Sequence, residues 1–308
     1  GEGVPRDLAK AAHWLGEAAE QGLARAQYVL AGLYAEGEGV PQDIEAAISW
    51  YTKSAEQGEE ISALSAVTLA MIYSDGKAVP QDYEKALRWN LRAAEADFPG
   101  AYVNLGWIYS MGHGVPRDYE EARRWYLKGA EHGLDEAQNS LGILYDRGQG
   151  VPQDFDKAFD WYMKAAIQGN ASAQVDLGVL YHKGRGTPKS MENAFAWYSK
   201  AAEGGNAMGQ FNLGMMYLSG EGVPPDRELA RMWLTLAAGQ GFPPARIQLA
   251  GLRMREVLEG EADRPVPIPT QPPGDPPAEA APTRPPREAT PVDDGFIPLF
   301  LPQSEECP

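Results

Sequence analysis

Seven tryptophans stand at positions 14, 50, 89, 125, 161, 197 and 233, so their spacings are 36, 39, 36, 36, 36 and 36 residues. Each closes the same frame, written out in Asp118-Tyr119-Glu120-Glu121-Ala122-Arg123-Arg124-Trp125. A fixed period in the thirties marks a stacked array in which each layer buries its apolar face only against its neighbours. Length therefore does not divide these 308 residues into two ordinary domains. The expectation is one all-α array over residues 1–259 and a disordered, proline-rich, acidic tail over residues 260–308.

Each layer reads as two helices. Helix A carries an apolar run such as Ala137-Gln138-Asn139-Ser140-Leu141-Gly142-Ile143-Leu144-Tyr145, and helix B carries the frame from Asp to Trp. Both have apolar residues at the 3.6-residue period. Asp7, Asp43, Asp82, Asp118, Asp154 and Asp226, with Ser190 in the sixth copy, stand where a side-chain oxygen caps the free amides of helix B. Glycines 22, 58, 133, 169, 205 and 241 suit the left-handed residue that ends helix B, and Asp97 takes that place in the third copy. Ala12, Ala47, Ala86, Ala122, Ala158, Ala194 and Ala230 keep helix B narrow on its inner side. Ala31, Ala70, Gly106, Gly142, Gly178, Gly214 and Ala250 do the same for helix A, which lets the axes approach and seats the Trp of the facing helix. Three extra residues between Gly58 and Ala66 lengthen one helix A by about a turn or lengthen its approach loop. The last helix A, from about residue 244 to 259, has Arg253 where other copies have Tyr and is expected to cap the array with a polar outer face.

Copy after copy, the frame resembles the Sel1-like repeat, a relative of the tetratricopeptide repeat. In one copy the matching residues are Ala137-Gln138, Leu141-Gly142, Tyr145, Gly148, Gly150-Val151, Asp154, Ala158, Trp161-Tyr162, Lys164-Ala165-Ala166 and Gly169. The resemblance covers residues 1 to about 255 in about seven copies. It implies a right-handed α-solenoid of helix-turn-helix repeats that acts as a non-catalytic adaptor or scaffold. Relatives of this kind serve bacterial signalling, secretion or envelope assembly and eukaryotic protein quality control. It supplies no shared catalytic residue and no cofactor. Some secreted bacterial relatives carry a Cys pair in each repeat; here the single cysteine is Cys307, outside the repeats.

Composition narrows the partners. A net charge of -16, from 27 basic and 43 acidic residues, repels a phosphate backbone, so a protein or peptide is expected in place of nucleic acid. No apolar run approaches the roughly 20 residues of a membrane span. The chain opens Gly1-Glu2-Gly3-Val4-Pro5, inside a repeat and without Met, so a leader or further repeats would lie upstream. The compartment is thus left open between cytoplasm and periplasm or secretion, as is the oligomeric state.

The Gly-x-Gly loops, such as Gly148/Gly150, recur in every layer, so they read as turns and not as a phosphate cradle, which a chain builds once. His13, His113, His132 and His182 fall at different places in the repeat and share no helix face, so no metal site is expected. No nucleophile elbow is present and the carboxylates read as caps or solvated faces, so no catalytic residue is nominated. The informative positions vary while the frame holds. Just before the helix A leucine come Val29, Thr68, Asn104, Ser140, Asp176, Asn212 and Gln248; seven residues on come Glu36, Asp75, Met111, Arg147, Lys183 and Ser219. If helix A lines the concave face, as the resemblance implies, these form two polar rows. Asn104, Trp107, Ser140, Arg147, Asp176, Lys183 and Asn212 are the expected protein-binding residues, with Trp107 enlarging an apolar groove. The alternative is a structural or envelope-assembly scaffold in which the tail segment Phe296 to Pro302 recruits the partner or folds back into the groove.

Overall fold

A computed structural model describes residues 7–58 and 60–259, excepting the side chains of residues 60 and 255–259. The expectations for the tail at 260–308, for Phe296 to Pro302 and for Cys307 lie outside the described residues. The described residues form fourteen α-helices: α1 (Leu8–Glu20), α2 (Ala24–Glu36), α3 (Ile44–Ala55), α4 (Glu60–Asp75), α5 (Tyr83–Glu95), α6 (Pro99–Met111), α7 (Tyr119–Glu131), α8 (Asp135–Arg147), α9 (Phe155–Ile167), α10 (Ala171–Lys183), α11 (Met191–Glu203), α12 (Ala207–Ser219), α13 (Arg227–Gly239) and α14 (Pro243–Glu259). Even numbers are helix A and odd numbers helix B. The chain divides after Leu134 into two compact units. The first holds α1 and the hairpins α2–α3, α4–α5 and α6–α7; the second holds α8–α9, α10–α11, α12–α13 and α14.

Every expected cap on helix B is made. Asp7, Asp43, Asp82, Asp118, Asp154 and Asp226 each accept a hydrogen bond from a first-turn amide, and Ser190 does so from Asn193 N. Upstream of each cap the loop is closed by one repeated bond. The amide of Asp43, Asp82, Asp118, Asp154, Ser190 and Asp226 donates to the carbonyl of Tyr34, Tyr73, Tyr109, Tyr145, Tyr181 and Tyr217 respectively. The tyrosine of helix A thus marks where the chain turns back. Beyond helix B, Asp97 is left-handed at φ 55, as the sequence places it among the glycines at that position.

The second glycine of each Gly-x-Gly loop is needed for contact between layers. A side chain at Gly114, Gly186 or Gly222 would collide with the backbone that opens the preceding helix B, at Tyr83, Phe155 and Met191 respectively. Protein backbone occupies the space that a phosphate would need, so the loops are turns, as their repetition predicts.

The small residues of helix A seat the tyrosine after the frame tryptophan, not the tryptophan itself. A Cβ at Gly106, Gly142 or Gly178 would fall against the ring of Tyr126, Tyr162 or Tyr198, twenty residues on, and those rings are buried. Elsewhere the pair changes in size: the buried Ala70 is followed twenty residues on by the shorter Asn90, and a Cβ at Gly214 would come within 3.0 Å of Leu234 Cγ. Ala31 keeps its tyrosine because Gly32 follows it, where the Tyr51 hydroxyl would be 3.6 Å from a Cβ. The tryptophans lie further out. Trp197 and Trp233 are buried and Trp50, Trp89, Trp125 and Trp161 partly so, while Trp14 is 68% exposed. Lys53, Lys128, Lys164 and Lys200 lie over the rings of Trp50, Trp125, Trp161 and Trp197 at 3.8, 4.6, 3.6 and 4.6 Å from the centroids, so the stems of these lysines shield the indole faces.

Helix B keeps its alanines inward: Ala47, Ala86, Ala122, Ala158, Ala194 and Ala230 have no exposed surface. Glutamines stitch the layers at the opposite end. Gln27, Gln174 and Gln210 donate to the carbonyls of Ala19, Ala166 and Ala202, which are left open at the end of the preceding helix B. The three-residue insertion is taken up as helix: α4 has 16 residues where other A helices before α14 have 13. The last helix, α14, packs Ala245 and Leu252 on Leu234 and Ala237 of α13. Its exposed side mixes Arg246 and Arg253 with Ile247 and Met254, so it is less polar than the sequence predicts.

Candidate functional site

The helix A leucines Leu30, Leu69, Leu105, Leu141, Leu177 and Leu213 are all buried. One residue earlier is a rotation of about 100°, which carries the side chain to the margin of the buried stripe. That position accordingly runs from exposed (Val29) through half-buried (Thr68, Asn104, Asp176, Asn212) to buried (Ser140). The second row, seven residues on, is exposed at Glu36, Asp75, Met111, Arg147, Lys183 and Ser219.

In the first unit the margin is closed from inside. Asn104 Nδ2 donates to Asn90 Oδ1 at 3.0 Å, and Asn90 Nδ2 in turn donates to the carbonyl of Ala86. The Thr68 hydroxyl donates to the carbonyl of Leu64 in its own helix. The hydroxyls of Ser110 and Tyr126 are 3.2 Å apart. Trp107 is half-buried against Tyr83 at 6.2 Å and His113 at 4.6 Å, while His113 stacks on Tyr83 at 4.2 Å. Its ring therefore joins α6 to the start of α5 and to its own loop. His113 is thus held in an aromatic stack.

A second polar knot in this unit surrounds the left-handed Asp97. The Tyr102 hydroxyl donates to its carboxylate, and His132 Nε2 at the end of α7 lies 3.4 Å from it. The Tyr102 hydrogen bond, followed by the charges of His132 and Lys128, holds the Asp97 carboxyl below the usual carboxylate range.

The second unit is arranged differently. Asp176 occupies the place of Asn104, and the residue fourteen positions earlier, Asn90 in the first unit, is Tyr162. The place of Ser110 is taken by Asp146. No described side chain donates a hydrogen bond to Asp176. Burial first, then the negative charge of Asp146, pushes its carboxyl up to about 7, against a partial opposing effect from Arg147. Burial, with Asp176 as a further cause, raises the hydroxyls of Tyr162 and Tyr198 as well. Arg147 and Lys183 are exposed, and Asn212 is half-buried on α12, next to α10. His182, near the end of α10, lies 3.4 Å from Glu221 in the loop after α12.

Asn104, Trp107, Ser140, Arg147, Asp176, Lys183 and Asn212 thus divide between two units and between committed and uncommitted side chains. The sequence reading missed Asn90, Asp146, Tyr162 and Tyr198 as their neighbours. Asn90 carries a visible signal, since it replaces the tyrosine that follows Trp in four other copies. Among the described residues no cluster of three His, Cys, Asp or Glu side chains could hold a metal, and no helix is long and apolar enough to cross a membrane.

The model of the Sel1 repeat matches residues 1–23, 24–59, 63–98, 99–134, 135–170, 171–206 and 207–242. The chain belongs to the Sel1 repeat family. Each match after the first spans one A–B hairpin, and the fold is that of seven Sel1 repeats in a helical solenoid. Two of the similar solved structures share at least 30% identity with this chain. One is c5321, a protective antigen present in uropathogenic Escherichia coli strains displaying an SLR fold. It has 36% identity and a TM-score of 0.73, covering 80% of this chain and 52% of that one. The other is a Sel1 repeat protein from Oxalobacter formigenes, with 31% identity and a TM-score of 0.65, covering 76% of this chain and 97% of that one. The chain therefore spans about half the length of the first. A comparison with curated proteins found no significant match. Sel1 repeats generally mediate protein–protein interaction, and the family is typically non-enzymatic.

Proposed function

We propose that this chain is a non-catalytic adaptor that binds a protein or peptide segment along the exposed side of its A helices, each unit presenting its own rows. The observation that carries this reading is the confinement of polar variation to one helix direction, while the Gly–Tyr pairs, the caps and the closing tyrosine carbonyls repeat almost unchanged. The half-buried Asn212 supplies both donor and acceptor to an extended backbone, Asn104 offers what its bond to Asn90 leaves open, and Arg147 and Lys183 take carboxylates from the bound segment. Net charge of -16 favours a protein partner over nucleic acid.

The test replaces Asn104, Asp176 and Asn212 together by Ala and compares the affinity of the intact chain for a partner captured from the source organism. A loss of at least tenfold with an unchanged helical circular dichroism spectrum is expected. Unchanged affinity overturns the assignment and moves recognition to the other reading, the segment Phe296 to Pro302.

A further inference from the structure

The helix α14 meets α13 through Ala245, Leu249 and Leu252, which share one side at helical spacing. Its opposite side carries Ile247, Ala250 and Met254, again at helical spacing. In earlier layers the equivalents of these three residues pack on the helix B of the same hairpin. Tyr28, at the place of Ile247, lies 5.5 Å from Tyr51. Gly106, Gly142 and Gly178, at the place of Ala250, seat the rings of Tyr126, Tyr162 and Tyr198. Ser110, at the place of Met254, has its hydroxyl 3.2 Å from that of Tyr126.

Among the described residues no helix B follows α14. Its pairing side is accordingly uncovered: Ile247 is 69% and Met254 65% exposed, whereas Val67, Val103 and Val175 are buried at the place of Ile247. An added Cβ at Gly251, beside Ala250, would meet nothing within 4 Å, so the space a ring would fill is open. Two large apolar side chains flanking a small one make a seat without an occupant.

The sequence after α14 holds one segment suited to that seat. Residues 260–308 contain no Trp and no Tyr, so they supply no further frame from Asp to Trp. Their aromatic residues are Phe296 and Phe300, both within Phe296-Ile297-Pro298-Leu299-Phe300-Leu301. Charge matches as well. Arg246 and Arg253 are exposed on one flank of the stripe, and the segment is bracketed by Asp293-Asp294 and Glu305-Glu306. At about 3.1 Å per residue the proline-rich spacer 260–295 reaches roughly 110 Å, far more than a return along α14 requires. Such a tether holds the segment around the helix at an effective concentration on the order of a millimolar.

We propose that residues 296–301 dock on the Ile247, Ala250 and Met254 side of α14 and close the last layer of the array. A phenylalanine ring rests on Ala250 as Tyr126 rests on Gly106. Pro298 bars a continuous helix, so the segment lies extended; four such residues span about 12 Å, against about 10 Å from Ile247 to Met254 along the helix. The contact serves the end of the array and not the rows that bind a partner, so it stands or falls apart from the adaptor reading.

The test uses the full chain with a nitroxide on Cys307, its single cysteine, and isotope-labelled Ile and Met methyl groups observed by NMR. The Ile247 and Met254 signals are expected to broaden and lose intensity, while Met71, exposed to a similar degree, keeps its signal. The double substitution Phe296→Ala and Phe300→Ala lies outside the repeats; it should restore both signals and speed amide exchange in α14 about tenfold. A mixture of nitroxide-bearing chains without isotope and isotope-labelled chains without nitroxide should show no broadening, because the contact lies within one chain. Broadening in that mixture assigns the seat to a second copy and overturns the proposal. Undiminished Ile247 and Met254 signals, broadening that survives the double substitution, or equal broadening at Met71 overturns it too.

Discussion

The interlock of helix A with the tyrosine of helix B makes a prediction whose sign depends on position. Gly106 lies inside α6, where alanine would be favoured by about 1 kcal/mol on helix propensity alone. A Cβ at Gly106, however, falls inside the ring of Tyr126, which is 3% exposed and close to the Ser110 hydroxyl. To regain an ordinary carbon–carbon separation the ring would retreat by about 2 Å. In a closely packed layer, inserted methyl groups of this kind cost about 1–3 kcal/mol, and a clash with a fixed ring belongs at the upper end. Gly106→Ala is therefore expected to destabilise by about 1–2 kcal/mol net of propensity. Gly16 provides the control: it lies inside α1 with nothing within 4 Å of an added Cβ, so Gly16→Ala should stabilise by about 0.5–1 kcal/mol. Urea unfolding followed by circular dichroism at 222 nm measures both. The two midpoints should move in opposite directions, with Gly106→Ala also broadening the transition if its layer uncouples from its neighbours. Equal stability of the two variants would refute the claim that the glycine is there to seat the ring.

Removing the Asp176 charge should help folding most at high pH. Its folded carboxyl is near 7 against an ordinary value of 3.8, so the folded state disfavours ionisation. Below the ordinary value the penalty vanishes, and it grows until pH passes 7. Asp176→Asn should thus stabilise by about 2–4 kcal/mol at pH 8 and by under about 1 kcal/mol at pH 4.5; a constant difference across that range contradicts the burial of the charge. Asp118 accepts from the amides of Glu120 and Glu121, so Asp118→Ala should cost about 1 kcal/mol in urea unfolding, with no loss if the cap is idle. A double-mutant cycle on Asn90→Ala and Asn104→Ala should return a coupling of about 1 kcal/mol, and additivity within about 0.3 kcal/mol would show the bond to be absent in solution.

The repeat spacing makes the helices, caps and turn glycines legible, because each follows from a local rule. Asp43 and Asp154 cap where an acid must precede an apolar run, and Asp97 turns left where its equivalents are glycine. Partner choice inside a layer was harder. The small residue of helix A and the aromatic pair of helix B are visible as patterns, but periodicity does not say whether Trp125 or Tyr126 faces Gly106. The decision lies in the rotation of one helix against another, and it falls to the tyrosine. The site is less legible still. Asn104 and Asp176 look alike as polar variation, and only packing shows that the first is met by Asn90 while the second meets Tyr162 without a bond. Asp146 was invisible because its importance comes from the neighbouring helix and not from its own repeat position.

The A helices are proposed to recognise the partner, and the segment from Phe296 to Pro302 is not. Capture from the source organism's lysate by the intact chain and by a chain lacking residues 290–308, read by quantitative mass spectrometry, separates the two. With recognition by the A helices, the same partners are expected at the same or greater yield with both chains. Loss of those partners with residues 290–308 would contradict it and leave the repeats as a scaffold for that segment.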